Sequence, residues 1–249
     1  MLDTKRLLDQ FLGAGGQGAS GGSAQGFDLS RLGDMAREFG AGGLGGSLPG
    51  GFGGGALAGG LAGILLGSKK GRKLGGSALQ LGGMAVVGAL AYKAYRDWQA
   101  GNGPSGAGST IEVLEAPKET PFNPASEEEQ QSLSRNLLTA MIAAAKADGH
   151  IDAQEQANIF AQMDKLELDA DDKAFVLDQL RAPLDIDSVA GAARTPEEAA
   201  EIYVASLLAV DVDNAAERGY LAMLAARLGL DDALVEHLHA TVEGATEKA

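Results

Sequence analysis

Glycine and charge are distributed very unevenly along this chain, and that distribution limits how it can fold. Of its 37 glycines, 32 lie before residue 110. Residues 1–120 carry 11 Lys/Arg and 9 Asp/Glu, whereas residues 121–249 carry 9 and 25. A chain of 249 residues is long enough for two domains. The sequence therefore predicts a glycine-rich N-terminal half followed by an acidic C-terminal domain.

The glycine-rich half contains a run without charge. Residues 39–68 include no Asp, Glu, Lys or Arg. Within the run a glycine recurs at every fourth position, at Gly51, Gly55, Gly59, Gly63 and Gly67. Small residues at this spacing form a flat helix face that lets helices approach closely in a membrane, and Leu57 and Leu61 supply apolar surface. The pattern predicts a glycine zipper with homo-oligomers formed through it. The alternative is a flexible linker.

A second uncharged run follows a basic cluster at Lys69, Lys70, Arg72 and Lys73. Residues 74–92 would span about 28 Å as a helix, close to the ~30 Å hydrocarbon core of a bilayer. Tyr92, Tyr95 and Trp98 follow it, as an interfacial belt would. Two topologies stay open: a helical hairpin with the basic cluster at its turn, or a single transmembrane helix at 74–92. Peripheral attachment is a third, weaker option. The side of the membrane that holds the C-terminal domain stays open.

From Ser126 onward the sequence contains residues that typically start and end helices. Ser126 with Glu129 is a capping box, Thr195-Pro196 opens a later helix, and Gly229 ends another. We expect about seven helices and no strand, so the predicted fold class is all-α. The predicted boundaries are short amphipathic helices and glycine-rich segments over 1–47, a membrane-associated helix or hairpin over 48–98, a linker over 99–125 and the acidic helical domain over 126–249.

Two acidic turns in this domain have a similar arrangement of residues. In each, an alanine-rich helix ends at an Asp, and another acid lies in the first turn of the next helix. The carboxylates involved are Asp148, Asp152 and Glu155 in the first copy and Asp211, Asp213 and Glu217 in the second. Carboxylate clusters bind hard cations such as Ca²⁺ or Mg²⁺. The alternative is helix capping alone, and the spacing excludes an EF-hand loop.

At these turns the motifs K-A-D-G-x-I-D-x-x-E and A-V-D-x-D-x-x-x-E-R-x-Y-L resemble the TerB-like domain of tellurite-resistance proteins. More narrowly, they resemble the YebE-type bacterial inner-membrane proteins, a family of unknown function. The likeness covers about residues 130–245. It implies an all-helical bundle, a location at the bacterial inner membrane, and divalent-metal binding by the six acids named above.

These observations restrict the function. The chain has no cysteine, which excludes disulfides and thiolate chemistry, and the acidic domain should repel nucleic acid. His237 and His239 are two positions apart and make a poor metal pair. We expect no enzyme and no catalytic residue, but a membrane-anchored helical interaction module with a cation or protein-partner site in the acidic turns. The alternatives are a metal-dependent enzyme that uses the clustered carboxylates and a membrane-structural oligomer.

Overall fold

The chain is all-α in the computed structural model, which describes residues 3–13, 83–104, 115–147, 170–210 and 215–247. These residues form eight helices and no strand. The helices are α1 (Thr4–Gly13), α2 (Gly83–Gln99), α3 (Glu127–Ala145), α4 (Ala170–Arg181), α5 (Ile186–Gly191), α6 (Pro196–Ala209), α7 (Ala215–Leu228) and α8 (Asp232–Glu247).

The predicted helix starts are confirmed by capping hydrogen bonds. The Glu129 N–H donates to the Ser126 side chain at 3.2 Å, and the Ser126 hydroxyl donates to the Glu129 carboxylate at 2.8 Å. Thr195 accepts from the Glu198 N–H at 3.2 Å and opens α6. Gly229 ends α7 in a left-handed conformation with φ of 66°. The sequence thus marks these boundaries through groups that satisfy free N–H and C=O groups at helix ends.

Helix α6 lies at the centre of the bundle. It packs against α2, α3, α5, α7 and α8, and its most extensive contact is with α3. Every residue from Ala199 to Val210 is buried. A helix that is enclosed on all sides needs an apolar surface all round. From Ala199 onward α6 has one, except for three buried polar side chains: Glu201, Tyr203 and Ser206.

Helices α1 and α2 pack on this bundle, although the sequence predicts them in a separate N-terminal half. In α1, Leu7 and Leu8 are fully buried, and the helix lies against α3 and α2. In α2, Val87, Leu90 and Ala91 are buried, and the helix lies against α6 and α8.

The sequence assigns residues 83–98 to the membrane-associated segment and residues 99–125 to a linker, and in the structure parts of both ranges pack in the helical bundle. Residues 83–98 are one wall of the protein core, and Ala116 and Phe122 are buried within the predicted linker. The physical reason is that a helix whose first ten residues, 83–92, are uncharged and mostly small suits a protein core as well as a bilayer. Composition alone does not distinguish the two.

The remaining membrane predictions concern residues that the structure does not describe. Most of the predicted region 1–47, the glycine zipper at Gly51–Gly67, the basic cluster at Lys69–Lys73 and residues 74–82 lie outside the described residues. Of the helices that are described, none is both long and apolar enough to cross a membrane.

Candidate functional site

The structure describes one of the six predicted metal ligands. Glu217 lies half-buried in the first turn of α7. The other five acids, Asp148, Asp152, Glu155, Asp211 and Asp213, lie outside the described residues. In the part of the chain that is described, no three His, Asp or Glu side chains are grouped so that they could hold a metal ion. The convergence of the six acids stays a prediction.

The two helices that lead into the acidic turns lie side by side. The Asn136 side chain donates to the Ala192 carbonyl at 3.3 Å, and the Ser206 hydroxyl approaches the Ala140 carbonyl at 3.5 Å.

Helix α2 gives the direction of both helices. Met84 at its start contacts Ser134 of α3 and Tyr95 near its end contacts Phe122 before α3, whereas Gly88 lies beside Glu201 of α6 and Tyr95 beside Glu197. Both α3 and α6 therefore run opposite to α2 and in the same direction as each other. The chain therefore leaves both helices at the same end of the bundle. The C-terminal ends of helices carry partial negative charge, which favours a cation at that end.

The lysine of the first motif has a structural role. The Lys146 ammonium group donates to the carbonyl of Gln179 at 2.9 Å and also to the carbonyl of Ala182. Both carbonyls belong to the C-terminal end of α4. Burial lowers the pKa of Lys146 from its ordinary value. Lys146 thus links the end of α3 to the end of α4 immediately before the first acidic turn.

The second motif also contains core residues. Tyr220 and Leu221 are buried in α7. Burial raises the pKa of the Tyr220 hydroxyl to about 12, so the side chain is neutral at physiological pH. The Tyr-Leu pair of the motif therefore holds α7 against the bundle, directly after Glu217.

The sequence gives no prediction for Glu201, which is the most unusual polar group in the structure. Its side chain is fully buried in the middle of α6, and neither carboxylate oxygen has a hydrogen-bond partner among the described residues. Burial raises the pKa of Glu201 well above its ordinary value, and the nearby Glu198 and Glu197 raise it further. A buried carboxyl in such surroundings is held in its neutral, protonated form.

Glu201 lies where α6 meets α2 and the segment before α3. A methyl group on Gly88 of α2 would lie 3.2 Å from the Glu201 Oε1 atom and would overlap the Phe122 carbonyl oxygen. The absence of a side chain at Gly88 therefore lets α2, α6 and the Phe122 backbone meet around the carboxyl group. Gly88, Phe122 and Glu201 together form the carboxyl junction.

An aromatic cluster lies beside the carboxyl junction. The Phe122 ring packs against Tyr92 and Tyr95, with centroid distances of 5.6 and 5.7 Å. Tyr95 in turn packs against Trp98 at 5.5 Å. The sequence predicts Tyr92, Tyr95 and Trp98 as a membrane-interface belt, but in the structure they hold the predicted linker against α2.

Comparison with known proteins assigns this arrangement to a family. The sequence profile described as "Protein of unknown function (DUF533)" matches residues 51–242, which is more than half of the chain. The chain belongs to the DUF533 family. The match covers both the glycine-rich residues from 51 onward and the helices up to α8, so the family includes the two compositional halves together.

The chain is also similar to a curated protein. The DUF533 chain is 34% identical over 90 residues to a protein of Yersinia enterocolitica described as "Uncharacterized protein in ampR 5'region". The alignment covers 36% of this chain and spans 65% of the relative's length. No solved structure matches the chain.

The two C-terminal histidines of the DUF533 chain have different partners. His237 is buried, with its Nδ1 atom 2.6 Å from the Ala233 carbonyl oxygen and its Nε2 atom 2.8 Å from the Asn102 carbonyl oxygen. The His239 Nε2 atom lies 2.9 Å from the Tyr203 hydroxyl oxygen. The His237 ring thus joins α8 to the chain that follows α2.

Proposed function

We propose that this DUF533 protein is a membrane-anchored helical module of the TerB-like type, which binds a divalent cation at the two acidic turns and presents that end of the bundle to a protein partner. The observation that carries the proposal is the common direction of α3 and α6. Because both helices end on the same side, the chain enters both acidic turns from one end of the bundle.

Charge supports the cation part of the proposal. Residues 121–249 carry 25 acidic and 9 basic side chains. The negative ends of α3 and α6 add to this potential, and Lys146 is held by carbonyl groups of α4. Ca²⁺ takes six to eight oxygen ligands, which the six acids of the two turns can supply. Glu217 lies on α7, which the buried Tyr220 and Leu221 hold against the bundle.

A calcium titration tests this site. We expect Ca²⁺ to raise the melting temperature of the full chain, since binding to the native state alone stabilises it. Replacing both Asp148 and Asp211 with Ala should abolish the rise. Glu236→Gln, which removes one exposed charge from α8, is the matched control and should keep it. The proposed site is wrong if the unchanged protein shows no rise with either Ca²⁺ or Mg²⁺, or if the double variant keeps it.

The membrane part of the proposal depends on the uncharged run 39–68 with its four-residue glycine period. Flotation of the full chain with lipid vesicles tests it, and we expect the protein to float with them. Deleting residues 39–68 should leave the protein in the dense fractions. Equal flotation of the deleted and full chains would show that residues 39–68 are not the membrane anchor.

A further inference from the structure

A short loop covers the carboxyl group of Glu201. Residues 116–123, the Phe122 loop, precede α3. The loop closes on itself, because the Glu119 N–H donates to the Asn123 carbonyl at 3.0 Å and the Asn123 N–H donates to the Thr120 carbonyl at 2.9 Å. The Asn123 side chain also donates to the Ala116 carbonyl at 3.0 Å. Since these hydrogen bonds lie within the loop, it can move as one unit without breaking them.

The Phe122 loop is attached to the bundle at few points. Of its residues only Ala116 and Phe122 are buried, whereas residues 117–119 are exposed. The Phe122 ring packs against Tyr92 and Tyr95 of α2. Displacing the loop therefore uncovers two buried side chains and leaves the helices in place.

The other neighbours of Glu201 are enclosed more completely. Helix α6 packs against five helices, and α2 is buried from Gly83 to Ala91 apart from Ala85. Between these helices, Gly88 lies against the carbonyl oxygen of Phe122. Water reaches the buried carboxyl group only if one of its neighbours moves, and the loop is the neighbour that loses the least buried surface.

The charges near Glu201 oppose its ionisation. Those that act on its carboxyl group belong to Glu198 and Glu197 of the same helix. In the loop, Lys118 and Glu119 are exposed. The basic side chains of the described helices packed on α6 have other surroundings, which are Asp97 for Lys93 and Arg96, the Phe175 ring for Arg135, Asp187 for Arg227, solvent for Arg218, two carbonyl oxygens for His237 and the Tyr203 hydroxyl for His239.

We propose that the Phe122 loop is a lid, which is closed while Glu201 is protonated and opens when Glu201 ionises. The ionised carboxylate has no donor among the described residues, so it needs water. The proton passes to solvent, and the loop moves away from Gly88 to admit water while α2 and α6 stay packed. The lid does not depend on the cation site or on the membrane anchor.

The direction of the pH response follows from the two states of the lid. Burial raises the pKa of Glu201 well above its ordinary value of 4.5 while the lid is closed. In the open lid the carboxyl group is in water, and its pKa lies closer to that value. The closed lid therefore keeps a proton that the open lid releases, and opening is favoured as the pH rises.

Thiol labelling tests the lid, and the absence of cysteine from the chain makes an introduced thiol unique. Ala116→Cys places a thiol at a buried position of the loop, and Lys118→Cys places one at an exposed position. Dividing the N-ethylmaleimide labelling rate of the first by that of the second corrects for the pH dependence of thiol reactivity. Between pH 5 and the pKa of the closed carboxyl group, we expect this ratio to rise by about tenfold for each pH unit.

Removing the titration of Glu201 should remove the pH response. With Glu201→Gln in both cysteine variants, we expect the labelling ratio to stay constant with pH, and Glu201→Met is a second uncharged replacement if the Gln variant does not fold. Glu236→Gln, at an exposed position of α8, is the control and should keep the rise.

Three results would overturn the lid. The first is a labelling ratio that does not change with pH while Glu201 is present, and the second is a ratio that still rises in the uncharged variants. The third is hydrogen exchange in α6 and α8 that accelerates together with the labelling of Ala116→Cys, because the whole bundle would then be opening rather than the loop alone.

Discussion

Glu201 decides how the stability of this protein depends on pH. Its carboxyl group is fully buried and has no donor among the described residues. Burial raises its pKa in the folded state above the ordinary value of 4.5. The folded chain therefore keeps a proton that the unfolded chain releases, and stability falls as the pH rises above about 4.5 through the folded pKa.

Replacing Glu201 with Gln should remove this loss. The amide stays neutral at every pH and retains nearly the same shape. We expect the variant to be more stable than the native chain at pH 8, by about 1.4 kcal/mol for each pH unit over which the folded native chain keeps a proton that the unfolded chain has released, because the amide has no proton to lose. Near pH 4 the two chains should melt at similar temperatures. Thermal melts at both pH values measure this, and Glu236→Gln is the exposed control. An equal difference at both pH values would contradict the neutral carboxyl group.

The carboxyl junction depends equally on Gly88. Gly88→Ala places a methyl group against the Phe122 carbonyl oxygen, so we expect a loss of about 1–3 kcal/mol by urea unfolding, as for other overpacked sites. Gly219→Ala is the matched control because nothing lies within 4 Å of its added methyl group. That variant should gain about 0.5–1 kcal/mol from helix propensity. Similar effects of the two changes would mean that α2 does not approach the Phe122 backbone closely.

At the scale of the helices, the sequence predicts where a helix begins and ends better than it predicts what covers that helix. Ser126, Thr195 and Gly229 mark helix ends by local chemistry that any neighbour leaves intact. Helix α2 is different, because its partners α6 and α8 come more than 90 residues later in the chain. An uncharged helix signals only that it avoids water. Whether lipid or protein covers it depends on those distant partners.

The candidate sites also divide into those that local sequence indicates and those that depend on distant residues. The six acids are visible in sequence because each set of three follows an alanine-rich helix and continues into the first turn of the next helix, and this pattern is local. Glu201 could not be assigned as buried from sequence, because Glu197 and Glu198 lie one turn before it in α6 and the three acids together indicate a solvated acidic side. Lys146 could not be assigned from sequence, because its partners are carbonyl groups of α4 rather than side chains.

Lys146 should contribute to the stability of α4. Lys146→Met keeps the aliphatic stem but leaves the Gln179 carbonyl without its cationic donor. We expect a loss of about 1 kcal/mol, in the range measured for cations at helix C-terminal ends. Hydrogen exchange should become faster at the last turn of α4 while α8 is unchanged. Lys118→Met, in an exposed turn, is the control. Unaltered exchange in α4 would show that the linkage between the two helices is not stabilising.

For the whole molecule, the important fact is that the bundle is closed by its N-terminal segments. A piece spanning 126–249, the domain that the sequence predicts, lacks α1 and α2 and so exposes the faces of α3, α6 and α8 that they cover. We expect this piece to lose its cooperative thermal transition and to bind hydrophobic dyes.

A longer piece spanning 83–249 is the control for that experiment. It keeps α2 and should recover a cooperative melt at a lower temperature than the full chain, because α1 is still absent. Circular dichroism in the near ultraviolet follows both. If residues 126–249 alone melt like the full chain, the bundle does not need α2.

The position of α2 has a consequence for synthesis on the ribosome. Asn102 follows α2, and its partner His237 is 135 residues further along the chain. At about 5–20 residues per second, α2 emerges on the order of ten seconds before α8 exists to cover it. During that interval the apolar first ten residues of α2, and the Tyr and Trp side chains that follow them, have no α8 to cover them. A chaperone or a bilayer surface therefore has time to bind α2 before α8 is made.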